Sequence, residues 1–306
     1  MATLLRRFPL AGFFVLAFGL SWIAWTPYIL SGAGLGVIGF RFPSLHGTEQ
    51  LLGVLPGAFL GPLTAAFVVT AVVDGRAGLR HWGRRLVRFR VSWRWYLGVL
   101  LGVPAILIGA TLLLPASWGH VADPGVTLLA LYLPMLVLQF FTTATAEEPG
   151  WRDFALPRLQ DRFGAVLGTV VLGTLWGCWH LPLFLSDWGG WPDVAAFAPV
   201  EFVAGCIPLS LVMTWVFNRT GQSLPLVMIL HAGINTTYSS VWSEIFPTLD
   251  VVRDPLHVQL IATTVFALVL LVVTRGRLGL DTRQGGDRVA GPTAPDRTAD
   301  EPAPVR

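Results

Sequence analysis

The chain has 306 residues, of which 54% are hydrophobic and only 13% charged, with a mean hydropathy of +0.64. Soluble domains carry about 25% charged residues, so a chain this apolar has too little polar surface to cover a core. A pair of soluble domains, a largely disordered chain, a disulfide scaffold and a nucleic-acid module are excluded. The net charge is +3, and all 21 basic residues are Arg. The absence of Lys reads as compositional bias of the source, and the arginines fall in loops, where they report membrane orientation. The fold class expected is all-α, a polytopic transmembrane helical bundle.

A spanning helix needs about 20 mostly apolar residues. Eight stretches qualify: 10–30, 51–73, 95–114, 126–146, 165–185, 200–217, 224–242 and 257–273. The first follows Arg6 and Arg7, and reads as a retained helix rather than a cleaved signal because it is too long for an h-region. Loops rich in Arg alternate with loops poor in it. Arg76, Arg80, Arg84, Arg85, Arg88, Arg90 and Arg94 fill the second loop; Arg152, Arg158 and Arg162 the fourth; Arg219 the sixth. The first has Arg41, the seventh has Arg253 among acids, and the third and fifth have no Arg. Eight spans with both termini cytosolic fit this alternation. Residues 75–93 set Leu79, Trp82, Leu86, Val87 and Phe89 among the arginines, which suits a helix on an anionic inner leaflet or a docking site for an acidic partner. Cys178 and Cys206, each inside an apolar run, read as unpaired core thiols. The organisation expected is three spans in 1–125, a core of spans four to seven in 126–242, a last span in 243–280, and a disordered cytosolic tail in 281–306.

Ionisable and amide groups inside a bilayer are costly and mark functional positions. Here they are Glu147 and Glu148, His180, Glu201, and His231 with Asn235. In the run EEPGWR, Glu148 and Arg152 stand four apart and pair on one helix face. Glu147 then lies about 100° round, free to act as a general base. The plainer reading is an interfacial ion pair that ends a helix before Pro149 and Gly150. In LWGCWHLPLF, Trp176 lies one turn before His180 and shares its face, and Pro182 loosens the helical ladder. The plainer reading is a histidine bonded to another helix as packing. In HAGIN, His231 and Asn235 project side by side and can donate two hydrogen bonds to an oxyanion, bind a metal, or make an interhelical contact. Glu201 lacks such companions and reads as an outer-interface residue. Two Glu, two His and an amide on three spans form a hydrolytic set: a base, positioning groups and oxyanion donors.

The order of these motifs, EExxxR, then Trp176 ahead of His180, then HxxxN, resembles the CPBP family of intramembrane metalloproteases. That family takes in CaaX prenyl endopeptidases and bacterial bacteriocin-processing or abortive-infection-like immunity proteins. The resemblance covers about residues 126–242. It implies that Glu147 activates water, that His180 helps to hold it, and that His231 and Asn235 stabilise the oxyanion, with Glu148, Arg152 and Trp176 in support. It leaves the cofactor as none or zinc, since Glu147, His180 and His231 also make a three-ligand zinc set, although no HExxH motif is present. Two positions depart from the family pattern. Trp176 stands where Phe is usual, and Asp153 where Gly is usual, a carboxylate able to compete with Glu148 for Arg152.

The resemblance implies an endopeptidase of membrane-embedded or lipid-anchored substrates, multi-pass in a bacterial inner (plasma) membrane, with its site opening to the cytosolic half. Its partners are the lipid bilayer and a peptide or protein substrate, not nucleic acid. A catalytically silent scaffold or immunity protein, and a proton-coupled transporter, are the competing readings; the transporter would favour duplicated halves, and no repeat is present. One depth conflict stands out. At 1.5 Å per residue, His180 lies about 22 Å along a fifth span that starts near Ala165, whereas Glu147 closes the fourth span on the cytosolic side. A short amphipathic helix in FALPRLQDRF, packed into the cytosolic half, is the expected solution.

Overall fold

The computed structural model describes residues 2–44, 49–119, 121–123 and 125–280. The tail 281–306, expected to be disordered, and His120 of the third loop lie outside the described residues. After a short helix Ala2–Arg7 come α1 (Pro9–Leu30), α2 (Gln50–Val73), α3 (Gly75–Leu86), α4 (Trp93–Leu112), α5 (Gly125–Gln139), α6 (Leu156–Trp179), α7 (Ala198–Arg219), α8 (Leu224–Thr236) and α9 (Arg253–Val273). Among the described residues, six helical stretches are long and apolar enough to cross a membrane. One of them, Ala130–Leu185, is 56 residues long, about 84 Å if straight, against a hydrocarbon core of about 30 Å. It holds two of the expected spans. The 13-residue α8 is too short alone, but a wide turn continues it over Thr237–Trp242. Each of the eight expected spans therefore has a helical counterpart, and the chain is a polytopic membrane bundle.

The long run reverses at Gly164, whose φ of +79° lies in the region that favours glycine. The arms of this hairpin touch closely: a Cβ at Gly168 would lie 2.7 Å from the Leu159 carbonyl oxygen. Glu147 precedes the apex by 17 residues and His180 follows it by 16. Counting from a common apex, rather than placing Glu147 at the membrane surface, brings the two level. The short helix ahead of Gly164 is the expected one, with Leu156, Leu159 and Gln160 buried.

Between α5 and α6 the chain stays helical in an altered register. Wide, π-type turns at Phe140–Ala144 and Pro149–Ala155 flank the single turn Thr145–Glu148. Pro149 has no N–H to give the i−4 carbonyl, so the ladder slips there. Pro182 acts similarly just beyond α6. The helix expected to run to 185 stops at Trp179, and a tight turn follows over Leu181–Leu185. Aromatic rings of α1 hold the hairpin, with Phe13 on Trp151 and Phe154, and Trp25 on Trp179. On the hairpin's other side α7 lies so near that a Cβ at Gly173 would meet the Ile207 Cα at 2.8 Å.

The Arg-rich segment is helical only over Gly75–Leu86, shorter than the stretch 75–93 expected. It is docked on protein as well as free to face lipid. Trp82 is buried, near Phe67. Arg85 forms a two-point ion pair with the buried Asp153, Nε to Oδ1 at 2.6 Å and Nη2 to Oδ2 at 2.9 Å. Beside it, Arg85 holds the His81 imidazole below its ordinary range. Glu201, expected to stand apart, lies 2.9 Å from His257 Nδ1 at the facing ends of α7 and α9. Cys178 and Cys206 are unpaired thiols, Cys206 buried and Cys178 half-buried.

Two outcomes follow for stability in detergent. Gly173→Ala forces α6 from α7 and lowers unfolding free energy by roughly 1–3 kcal/mol, whereas Gly98→Ala, with open space around it, leaves it unchanged or slightly raised. Arg85→Ala leaves the buried Asp153 without its counter-charge and costs on the order of 3 kcal/mol. Pairing it with Asp153→Gly recovers most of that loss, which a double-mutant cycle by thermal unfolding measures.

Candidate active site

Trp176 connects the three motifs. Its indole N–H donates to Glu147 Oε2 at 2.7 Å, and its carbonyl accepts from His180 Nδ1 at 2.9 Å. The ring meets His231 edge-on, centroids 5.5 Å apart, and His180 at 6.0 Å. The Arg152 guanidinium carbon stands 4.9 Å from the ring centre, within cation–π range.

A carbonyl oxygen only accepts, so His180 carries its hydrogen on Nδ1 and keeps a lone pair on Nε2. Trp188 stacks on this imidazole at 5.5 Å and 12°, and Phe202 packs edge-on at 5.0 Å. Both histidines are almost fully buried. Glu148 does more than pair with Arg152. Its Oε2 lies 3.4 Å from Arg152 Nε, and its Oε1 accepts from His231 Nδ1 at 2.8 Å. With Nδ1 so engaged, only Nε2 of His231 is left for a ligand, and a proton arriving there is stabilised by the carboxylate behind it. Arg152 is held further by Ser210 Oγ at 3.3 Å and Met213 Sδ at 3.1 Å. Asp153 does not compete for it, because Arg85 occupies both carboxylate oxygens.

Asn235 Nδ2 donates to Thr143 Oγ1 at 3.3 Å, and Thr143 donates to Gln139 Oε1 at 2.7 Å. Sequence reasoning missed Gln139 and Thr143. Their signal was present, since residues 139, 143 and 147 recur every four positions and share one helix face.

Glu147, His180, His231 and Asn235 all line one cavity of about 470 Å³, with Trp176 and Cys206; Glu148 and Arg152 stand behind its wall. The rest of the lining is mostly apolar, including Trp25, Leu51, Met135, Phe184 and Leu256. Outside the lining, the Tyr28 hydroxyl donates to Asp187, whose carboxyl burial pushes up. The zinc set that the resemblance leaves open finds no support here: among the described residues no three His, Cys, Asp or Glu side chains are grouped closely enough to hold a metal ion.

The cavity's place in the bundle conflicts with one expectation. Its lining includes Gln50, at the start of α2, and Trp188 and Val252, from the loops after α6 and before α9. These segments lie at the end of the bundle opposite Ala2–Arg7 and the last turn of α9. That end and the cavity mouth therefore cannot both be cytosolic.

Comparison with known proteins bears on the same region. Residues 129–237 match the family profile described as Rce1-like, type II CAAX prenyl endopeptidase. A protein named CAAX prenyl protease 2 from Methanococcus maripaludis is 24% identical over 231 residues, covering 73% of this chain and 81% of that protein. Over the segment that carries the motifs and lines the cavity, the chain is thus similar to CaaX-protease-like membrane proteins.

Proposed function

We propose that this protein is an intramembrane endopeptidase that hydrolyses peptide bonds of membrane-embedded or lipid-anchored substrates with a glutamate-activated water. The observation that carries this is the gathering of Glu147, His180, His231 and Asn235 on one buried cavity, with Glu147 aimed by the Trp176 indole and His231 by Glu148.

Glu147 takes a proton from water as the oxygen attacks the scissile carbonyl carbon. His180 Nε2 accepts the water's other hydrogen and fixes its direction. The carbonyl oxygen becomes an oxyanion, which receives hydrogen bonds from the second Asn235 Nδ2 hydrogen and from protonated His231 Nε2. Glu147 then gives its proton to the departing nitrogen, and the C–N bond breaks to leave a carboxylic acid and an amine, between which the water's second proton passes to give carboxylate and ammonium. The Glu148 carboxylate serves His231 as the orienting acid serves histidine in a hydrolytic triad. Base and oxyanion donors in a site with little water each contribute roughly tens to thousands-fold. A bacterial inner membrane is the setting proposed, on the strength of the Arg distribution and the resemblance.

The test is peptide-termini profiling of membranes from cells that express the wild type or Glu147→Gln at equal levels. Processed termini that vanish with Glu147→Gln support the proposal. Unchanged termini move the protein to the scaffold or immunity reading. On a cleaved reporter, Asn235→Ala lowers kcat about 100-fold with little change in KM. Trp176→Phe keeps the ring and removes the hydrogen bond to Glu147, so kcat falls about tenfold. Treatment with a zinc chelator leaves cleavage intact; loss of activity restored by zinc would put a metal in the site.

A further inference from the structure

The two ends of the bundle differ sharply in charge. Seventeen arginines lie among the described residues. Fourteen gather at one end: Arg6 and Arg7, seven in 76–94, Arg158 and Arg162, Arg219, and Arg275 with Arg277. Contacts tie these segments to a common face. Arg6 Nε donates to the Val72 carbonyl, Arg158 pairs with Asp74, Ser223 Oγ donates to the Arg88 carbonyl, and Asn218 Nδ2 to that of Leu278. Arg152 is in the core. At the other end stand only Arg41 and Arg253, each paired with an acid, Glu49 and Asp254. That end is also joined across its loops, with Asp187 N donating to the Ala33 carbonyl and Ala122 N to that of Ile245.

The catalytic cavity belongs wholly to the second end. Its floor is the buried set Glu147, Trp176, Cys206 and His231, and its rim includes the exposed Val251 and Ser239. Beneath the floor, toward the Arg-rich end, Trp151, Arg152, Asp153 and Phe154 form a layer at most 1% exposed. A basin of about 670 Å³ lies beyond that layer, lined by Asp74, Arg85 and Arg158, and shares no lining residue with the catalytic cavity.

Arg-rich loops stay on the cytosolic side. We infer that the catalytic cavity opens to the non-cytosolic face of the membrane, and that its substrates are apolar polypeptide segments presented from the outer leaflet. The apolar mouth suits such a segment, and the sealed floor denies entry to chain ends that lie in the cytosol. The substrate class rests on the endopeptidase reading; the direction of opening does not.

The experiment uses full-length protein in cells, with Val251→Cys reporting the mouth and Arg80→Cys the Arg-rich face. An impermeant maleimide is applied to spheroplasts and to inverted membrane vesicles, in both the wild-type and Glu147→Gln backgrounds, with the unsubstituted protein as blank. Val251→Cys is expected to label in spheroplasts and to lose that labelling after blocking from outside, and Arg80→Cys to label only in inverted vesicles. The reverse pattern, or labelling of either residue from both sides, overturns the inference. Reversed labelling with Glu147-dependent cleavage removes the direction of opening and leaves the protease reading. The expected labelling without Glu147-dependent cleavage keeps the outward cavity and removes the protease reading, and with it the substrate class.

Discussion

Two adjacent carboxylates inside an apolar bundle are the constraint on which the rest depends. A buried charge costs several kcal/mol unless it is paired and hydrogen-bonded, and Glu147 and Glu148 stand next to each other. They are served from different directions. Glu148 takes two partners, Arg152 one turn on and His231 from α8. Glu147 is left with a neutral donor, the Trp176 indole of α6. That division separates their tasks. The carboxylate contacted by Arg152 and His231 is held in place, while the one with a single neutral partner lines the cavity. Convergence of three helices at one depth is thus a requirement of charge burial before it is a requirement of catalysis.

The backbone meets that requirement through interrupted helices. Straight α-helical geometry would carry residues 147, 148 and 152 past the level of Trp176. The wide turns on either side of Glu147 and Glu148, followed by the reversal at Gly164, keep the whole EEPGWR run buried. Wide turns also free carbonyls from the regular ladder, and the Thr145 hydroxyl takes one of them, that of Phe140, at 2.7 Å. Such irregular backbone is tolerated at membrane depth only inside protein, and here α1, α2 and α7 enclose it.

Spans and motif residues were legible in the sequence because they depend on local properties: apolar length, four-residue spacing, and rare polar groups in apolar runs. What stayed hidden depends on contacts between distant segments. Arg85 and Asp153 are 68 positions apart, and nothing local tells that α3 supplies the partner of Asp153, which in the sequence reads as a competitor of Glu148 for Arg152. The role of Glu148 toward His231, 83 positions away, was hidden in the same way. The direction of the cavity was hidden for another reason. Arg counts give the orientation of each loop, but not which end of a helical bundle is packed shut. That is decided by Trp151 and Phe154, whose burial against α1 a sequence does not display.

Tryptophan at position 176, where the family usually has phenylalanine, joins these themes. A phenylalanine is smaller; it still presents an aromatic face to Arg152, but it has no N–H. The indole therefore adds a donor to Glu147 at a place where water would otherwise have to supply one. The cavity is backed by the buried Trp151–Phe154 layer, and its lining reaches Trp188 and Val252 at the mouth, which limits the routes by which water can enter. A carboxylate that relied on water for its aim would turn as that water came and went, and would be least ordered when substrate filled the mouth. An indole fixed in the wall holds Glu147 at all stages of filling. The one-sided cavity and the tryptophan are thus two parts of one solution: the first limits the water available, and the second frees the base from needing water to hold its direction.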